Sequence, residues 1–342
     1  MNQLYNYINN NLIIDLNDFN IIEDILYEYN IPLDFLDNQI NKDITEIKFN
    51  LINYNKLINN IKLNLNIYNP RINKYDYDLY HDLLTIIYKM IGLCKNSSIK
   101  KLDITIFLLY NNKMIKDDTT IIGIREVNSG CSIINNKYNK IYIWRHEEVN
   151  KVLIHELIHS LDLDPVIGND SSNYYLLSSY FSYCPNKINL FEAYVEYLAT
   201  ILNILFFMSK NNIKFIEFNQ YIKTEITFGY KQFSKILQFN GIYNFEEFYI
   251  KNSLNIKCKF KEKTSVFMYY FCKLILLINY KKISHLSKNY SEDYIININK
   301  SYKFTNKLYN IMIFSINKNI IDNFNYYLSL NYDKSLRMCY YN

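Results

Sequence analysis

The stretch Val152-Leu153-Ile154-His155-Glu156-Leu157-Ile158-His159-Ser160-Leu161-Asp162 decides how this chain is read. A helix turns about 100° per residue, so His155 and His159 project from one face, one turn apart, the spacing at which two imidazoles can share a zinc ion. Glu156 falls on the adjacent flank, where it can reach a zinc-bound water as general base without being a ligand. With 5 His and 15 Glu in 342 residues, His-Glu-x-x-His is expected by chance roughly 0.003 times per chain. Val149, Val152, Leu153, Ile154, Leu157, Ile158 and Leu161 make the helix apolar almost all round. Burying two imidazoles and a carboxylate there is costly without compensation, and a metal supplies it. The bland alternative, two histidines satisfied by hydrogen bonds in a buried helix, leaves the intervening Glu unexplained.

A catalytic zinc site takes three protein ligands. One known extension of the motif places Gly three positions after the second His and His or Asp six after it; here those positions are Asp162 and Pro165, which excludes that class. The third ligand must come from further on. The best candidate lies in Asn189-Leu190-Phe191-Glu192-Ala193-Tyr194-Val195-Glu196, two carboxylates on one face of an otherwise apolar helix. Glu192 would bind zinc and Glu196 would hold the second nitrogen of a histidine ligand. Glu192 also fits a capping box with Asn189, in which case Glu196 becomes the ligand. Asp162, at i+7 from His155, is either a further partner of the histidine face or a plain polar residue at the helix end. His146 and Glu147-Glu148 suit the positive N-terminal end of the metal helix and are left outside the site. His81 reads as a surface or interhelical histidine.

A helix bearing His-Glu-x-x-His followed by one bearing Glu-x-x-x-Glu resembles the gluzincin branch of zinc metallopeptidases. Together with Asn128-Ser129-Gly130 and Trp144-Arg145-His146-Glu147-Glu148, it looks like an uncharacterised zincin-like family of giant DNA viruses. The resemblance covers roughly residues 75 to 280. It implies an α+β zincin-like fold with the sheet packed on the metal helix, an edge strand at Lys140–Trp144 along the cleft, and a polypeptide substrate bound by strand addition. It also implies an oxyanion donor beyond the third ligand, for which Tyr269, Tyr270 and His285 are candidates, Tyr270 the favoured one. The 32 positions between His159 and Glu192, including Asp164-Pro165 and Gly168-Asn169-Asp170, form a substantial loop.

Outward from the motif, Leu79, Leu83, Leu84, Ile87, Met90 and Ile91 recur at helical spacing over Tyr77–Lys95. Short β-branched and aromatic runs at Leu102–Leu109, Thr119–Ile124, Cys131–Ile134 and Lys140–Trp144 predict a small, mainly antiparallel sheet. Helical periods return at Leu190–Met208, Ile213–Phe239 and Lys263–Tyr280, and the last 60 residues read as helical. Residues 1 to about 70 read as short amphipathic helices, with Ile21, Ile22, Ile25, Leu26 and Tyr29 at helical spacing. The expected division is a helical accessory region over 1–74, the catalytic domain over 75–285 and a helical extension over 286–342.

Composition bounds the rest. Hydrophobic content of 49% supports a sizeable core, and 6 Gly and 4 Pro leave no flexible linker. A net charge of +5 from 38 basic and 33 acidic residues, without a single-sign block, gives no reason to expect a nucleic-acid or anionic-membrane partner. The dispersed cysteines Cys94, Cys131, Cys184, Cys258, Cys272 and Cys339 argue against both a disulfide framework and a cysteine-ligated zinc. Met1-Asn2-Gln3-Leu4 lacks the layout of a secretory signal, and the apolar runs Ile201–Met208 and Phe271–Ile278 are short for a bilayer span, so an intracellular location is expected. The function expected is a zinc metallopeptidase using Glu156 as base. The alternative is an inactive zincin-fold viral structural or host-binding protein, disfavoured because a purely structural zinc site has no use for a base.

Overall fold

The structure, a computed structural model, describes the chain except residues 11, 13, 16–17, 28–30, 32–35, 95–97, 164–179, 182–189, 250–258, 289–301 and 342. Asn59 and Asn60 both adopt positive φ, 47° and 67°, the two-residue loop whose twist matches that of paired strands. They join β2 (Phe49–Ile58) to β3 (Ile61–Pro70), antiparallel from Ile58 opposite Ile61 to Phe49 opposite Pro70. In β3, Leu63, Leu65 and Ile67 are wholly buried while Lys62 between them and the hairpin is exposed. This two-residue period corrects the helical reading of residues 1–70: Ile21, Ile22 and Ile25 also belong to a strand, β1 (Asn20–Ile25). Tyr29 lies outside the described residues. Helix is confined in this region to α1 (Asn2–Asn9) and α2 (Asn38–Glu46) among the described residues.

A crossover through α3 (Tyr77–Leu93), capped by Asp76 accepting from the Leu79 N–H at 2.9 Å, leads to β4 (Lys101–Phe107) parallel to β3. Two further strands, β5 (Gly130–Ile133) and β6 (Tyr138–Ile143), complete a six-stranded sheet of order β1-β2-β3-β4-β6-β5. Three of its five pairings are antiparallel and two parallel, so the sheet is mixed. The edge next to the metal helix is β5; β6, the strand expected there, is enclosed between β4 and β5. The run expected as a strand at Thr119–Ile124 makes only a bridge from Ile122 to Glu262 and leads into a helical turn, α4 (Ile124–Val127). The Glu126 carboxylate closes that turn by accepting the Gly123 N–H at 2.9 Å.

One face of the sheet, with Leu63, Leu65, Ile104, Ile106, Ile141 and Ile143, packs into the main core with α3 and the metal helix α5 (Val149–Ser160). The other face carries a smaller cluster in which Ile40 and Ile44 of α2 meet Phe49, Tyr68, Phe107 and Trp144. Among the described residues the remaining elements are mainly helices: α6 (Leu190–Lys210), α7 (Phe218–Phe239), α8 (Phe245–Phe248), α9 (Phe267–Ile278), α10 (Tyr280–Lys288), α11 (Tyr302–Phe314) and α12 (Lys318–Leu328). Sheet and core run across both divisions expected at 74 and 285. Strands β1 to β3 belong to the same sheet as β4 to β6, and Leu4, Ile8, Leu308, Phe324 and Met338 share one core with Leu153 and Ile201. Helix α6 is long and apolar enough to cross a membrane, but 83% of its apolar window is buried inside the molecule, as befits its place at the centre of the helical layer.

Candidate metal centre

Helix α5 is held by α3, α6, β5 and β6, which is why almost every side chain on it is buried. It ends in a backbone motif that fixes where its last residues point. The Leu163 N–H reaches Ile158 O at 3.0 Å and the Asp162 N–H reaches His159 O at 3.2 Å, with Asp162 at φ 55°. That is a Schellman termination with Asp162 in the left-handed position. Asp162 is exposed and, in that position, turns the chain out of the helix, as its reading as a polar residue at the helix end requires.

His155 Nε2 and His159 Nε2 lie 3.1 Å apart. Glu192, in the first turn of α6, places Oε2 3.6 Å from His155 Nε2 and 3.9 Å from His159 Nε2. Donor atoms at about 2.0–2.2 Å from a tetrahedral zinc sit roughly 3.3–3.6 Å from one another. The three donors, all within 4.8 Å of each other, therefore fit one such ion in spacing and in ligand type. The second carboxylate of the pair, Glu196, puts Oε1 3.0 Å from His155 Nδ1. Nδ1 is at pairing distance there without an aligned hydrogen bond; a proton on it turned to that oxygen would leave the Nε2 lone pair for the site. Glu192 thus stands within reach of both histidine Nε2 atoms and Glu196 beside His155 Nδ1, while Asn189, the capping alternative, lies outside the described residues. The loop with Asp164-Pro165 and Gly168-Asn169-Asp170 lies outside them too.

Glu156 points into the same cleft, a space of about 530 Å³ lined also by Ser129, Gly130, Cys131, Ser132, Phe191, Ser265, Tyr269 and Met338. Ser132 Oγ donates to Glu156 Oε2 at 2.5 Å, holding one oxygen and leaving the other to the cleft. The edge strand approaches so closely that a Cβ on Gly130 would stand 2.9 Å from Val152 Cγ1 and 3.1 Å from Glu156 Oε1. The loop before β5 is fastened by buried Arg145, which donates to the carbonyls of Asn128 at 2.9 Å, Asn111 at 2.5 Å and Arg125 at 2.7 Å.

Tyr270, the favoured oxyanion donor, is corrected. Its hydroxyl donates to Leu336 O at 2.5 Å in the core, away from the cleft. Its neighbour Tyr269 lines the cleft instead, with its ring centroid 6.5 Å from that of His155. Burial, then Glu192, Glu196 and Glu156, push the Tyr269 phenol well above its usual pKa, so it keeps its proton as a donor. Both tyrosines sit in a π-helical turn, Phe267–Cys272; such widened turns recur at functional sites. His285 lies on α10, with its side chain outside the described residues.

Glu147 and Glu148 are not exposed complements of the helix end. Glu148 is buried in left-handed conformation, φ 60°, and pairs with Lys113 Nζ at 2.8 Å. Its Oε1 accepts the N–H groups of Met338 at 2.8 Å and Cys339 at 2.6 Å. Burial raises its pKa, but Lys113 and Lys151 outweigh that and hold it below the usual range. Lys151, buried one turn before His155, pairs with Glu196. Burial opposes the charge on Glu196 as well, and Lys151 and His155 overcome it to hold the carboxyl well below its usual pKa. Ser132, Lys151 and Glu148 were not read as site residues. A signal existed for Lys151, a lone lysine at i−4 from His155 on an apolar helix; Ser132 carried none.

No protein-family model matches the chain. An uncharacterised protein of Acanthamoeba polyphaga mimivirus is 28% identical to it over 167 residues, 46% of this chain and 40% of the viral protein, so the match spans less than half of that relative. A crystal structure of an aminopeptidase N family protein from Idiomarina loihiensis aligns over 79% of this chain and 42% of its own, with a TM-score of 0.36 and 10% sequence identity.

Proposed function

We propose that this chain is a zinc-dependent hydrolase of peptide bonds. The observation that carries the reading is the convergence of His155, His159 and Glu192 donors on one point in the cleft that also holds Glu156. His155, His159 and Glu192 would hold zinc, which would supply Lewis acidity toward a carbonyl and toward water, whose pKa it would bring to about 7. The protein's own residues do the rest. Glu156, fixed by Ser132, takes the proton of the attacking water on its cleft-facing oxygen and returns it to the departing amine. Tyr269 donates to the oxygen on which negative charge develops. An extended polypeptide lies along β5, pairing with its backbone on the side away from β6.

The test has two arms. Elemental analysis of wild type, Glu192→Ala and Glu196→Ala should give about one zinc per wild-type chain, lost in Glu192→Ala. Digestion of an unstructured polypeptide should be abolished in Glu156→Gln with zinc retained. Full activity in Glu156→Gln sinks the mechanism. Absence of zinc from folded, metal-replete wild type sinks the site and favours an inactive scaffold.

A further inference from the structure

Helix α5 carries a third polar residue on the histidine face. Lys151, His155 and His159 succeed one another at four-residue intervals, and Lys151 is 1% exposed. Its ammonium meets Glu196 Oε2, while Glu196 Oε1 stands 3.0 Å from His155 Nδ1. One carboxylate is therefore shared between an ammonium and an imidazole, one oxygen each. We propose that Lys151 is a positioning residue of the metal centre: it pins Glu196 so that the free oxygen fixes the orientation of His155. The inference rests on the zinc reading above.

Three features separate this arrangement from an incidental buried ion pair. The carboxylate sits on a helix whose first turn also supplies Glu192, so a rotation of Glu196 about its side-chain torsions would release His155 without disturbing α6 itself. Lys151 has no other carboxylate at pairing distance among the described residues; Glu148 acts on it only through the field, and its remaining close contact is Met338 Sδ at 3.8 Å. Its position is itself over-determined. Glu148 at the head of α5 is locked by Lys113 and by the Met338 and Cys339 amides, and Lys273 Nζ donates to the Met338 carbonyl. The ammonium is thereby held between the segment around Met338 and Glu196, with little freedom to follow any other partner.

The experiment is a mutant cycle read as zinc affinity, by competition with a chromophoric chelator, on full-length wild type, Lys151→Met, Glu196→Ala and the double variant. The visible spectrum of the cobalt(II)-substituted proteins is recorded alongside, because a lysine that served stability alone would leave ligand geometry unchanged. Lys151→Met is expected to weaken zinc binding by about 10- to 100-fold, the range for partners of metal-bound histidines, and to alter the cobalt bands. On the Glu196→Ala background it is expected to change affinity less than about twofold, since its effect passes through Glu196. Equal affinities of wild type and Lys151→Met overturn the inference and leave the zinc reading standing. A full loss that persists without Glu196 overturns it too. Wild type that binds no zinc overturns both. Should Lys151→Met fail to fold, with Glu196 left buried without its ammonium, Glu196→Ala against the double variant decides: equal affinities support the inference and a further loss overturns it.

Discussion

Gly130 has no side chain where one would collide with α5, and the nearest atoms are Val152 Cγ1, Glu156 Oε1 and the Tyr142 carbonyl oxygen. Gly130→Ala should displace Glu156 and lower kcat by tenfold or more while zinc content stays at wild-type level, since small misplacements of a reacting group are costly. Removing one hydroxyl by Tyr269→Phe should lower kcat by about 10²-fold, and Tyr270→Phe should leave kcat unchanged. Equal losses in the two tyrosine variants would move the oxyanion donor elsewhere. At this scale the sequence singled out residues whose type announces chemistry, His155, Glu156, His159 and Glu192, and the fold brings them to one cleft. The sequence concealed those whose role depends on the facing element. Ser132 matters because β5 lies over Glu156. Tyr269 and Tyr270 are adjacent and chemically alike, and the phase of a widened helical turn decides which faces the cleft.

Among the elements, helices were legible because their apolar stripes are long and end at identifiable residues. Strands β2 and β3 were not, although Ile61-Lys62-Leu63-Asn64-Leu65-Asn66-Ile67 alternates strictly. Asparagine punctuates the whole chain, so the Asn59-Asn60 turn did not stand out from its background. The edge strand was misassigned for a different reason: order within a sheet is set by long-range pairing, which local pattern does not carry. The end of α5 offers a clean check. Asp162 occupies a left-handed position that glycine adopts at lower cost. Asp162→Gly should therefore raise stability by up to about 1 kcal/mol, seen as a higher Tm, with zinc content unchanged. Loss of zinc in that variant would restore Asp162 to the metal site.

For the molecule as a whole, the buried charges set a pH dependence. Glu225, buried on α7, accepts the Tyr340 N–H at 2.9 Å, and burial, only partly offset by Lys273 and that N–H, raises its pKa to about 7; Glu148 raises it further and Lys151 opposes. A carboxyl whose folded pKa lies above its unfolded value costs nothing in acid. It destabilises increasingly as pH rises from about 4.5 to about 7, and the cost then levels off. Glu225→Gln should leave Tm near wild type at pH 4 and raise it at pH 8, where the gain in stability is on the order of 3 kcal/mol. A variant equally stable or less stable than wild type at both pH values would show that the carboxylate is held ionised.

One sheet and one core join residues on both sides of the divisions drawn at 74 and 285, and compositional shifts along a chain do not report which segments share a core. Residues 334 to 341 illustrate the point. They bridge Met114, cover Tyr270, satisfy Glu148 and Glu225, and bring Met338 to the cleft. The Glu148 carboxylate waits for amides 190 and 191 positions further along the chain. Contacts of such high sequence separation form late. During synthesis, then, the helix bearing both histidines leaves the ribosome long before the amides that satisfy Glu148, and a nascent chain shorter than about residue 339 holds His155 and His159 without the charges around them settled.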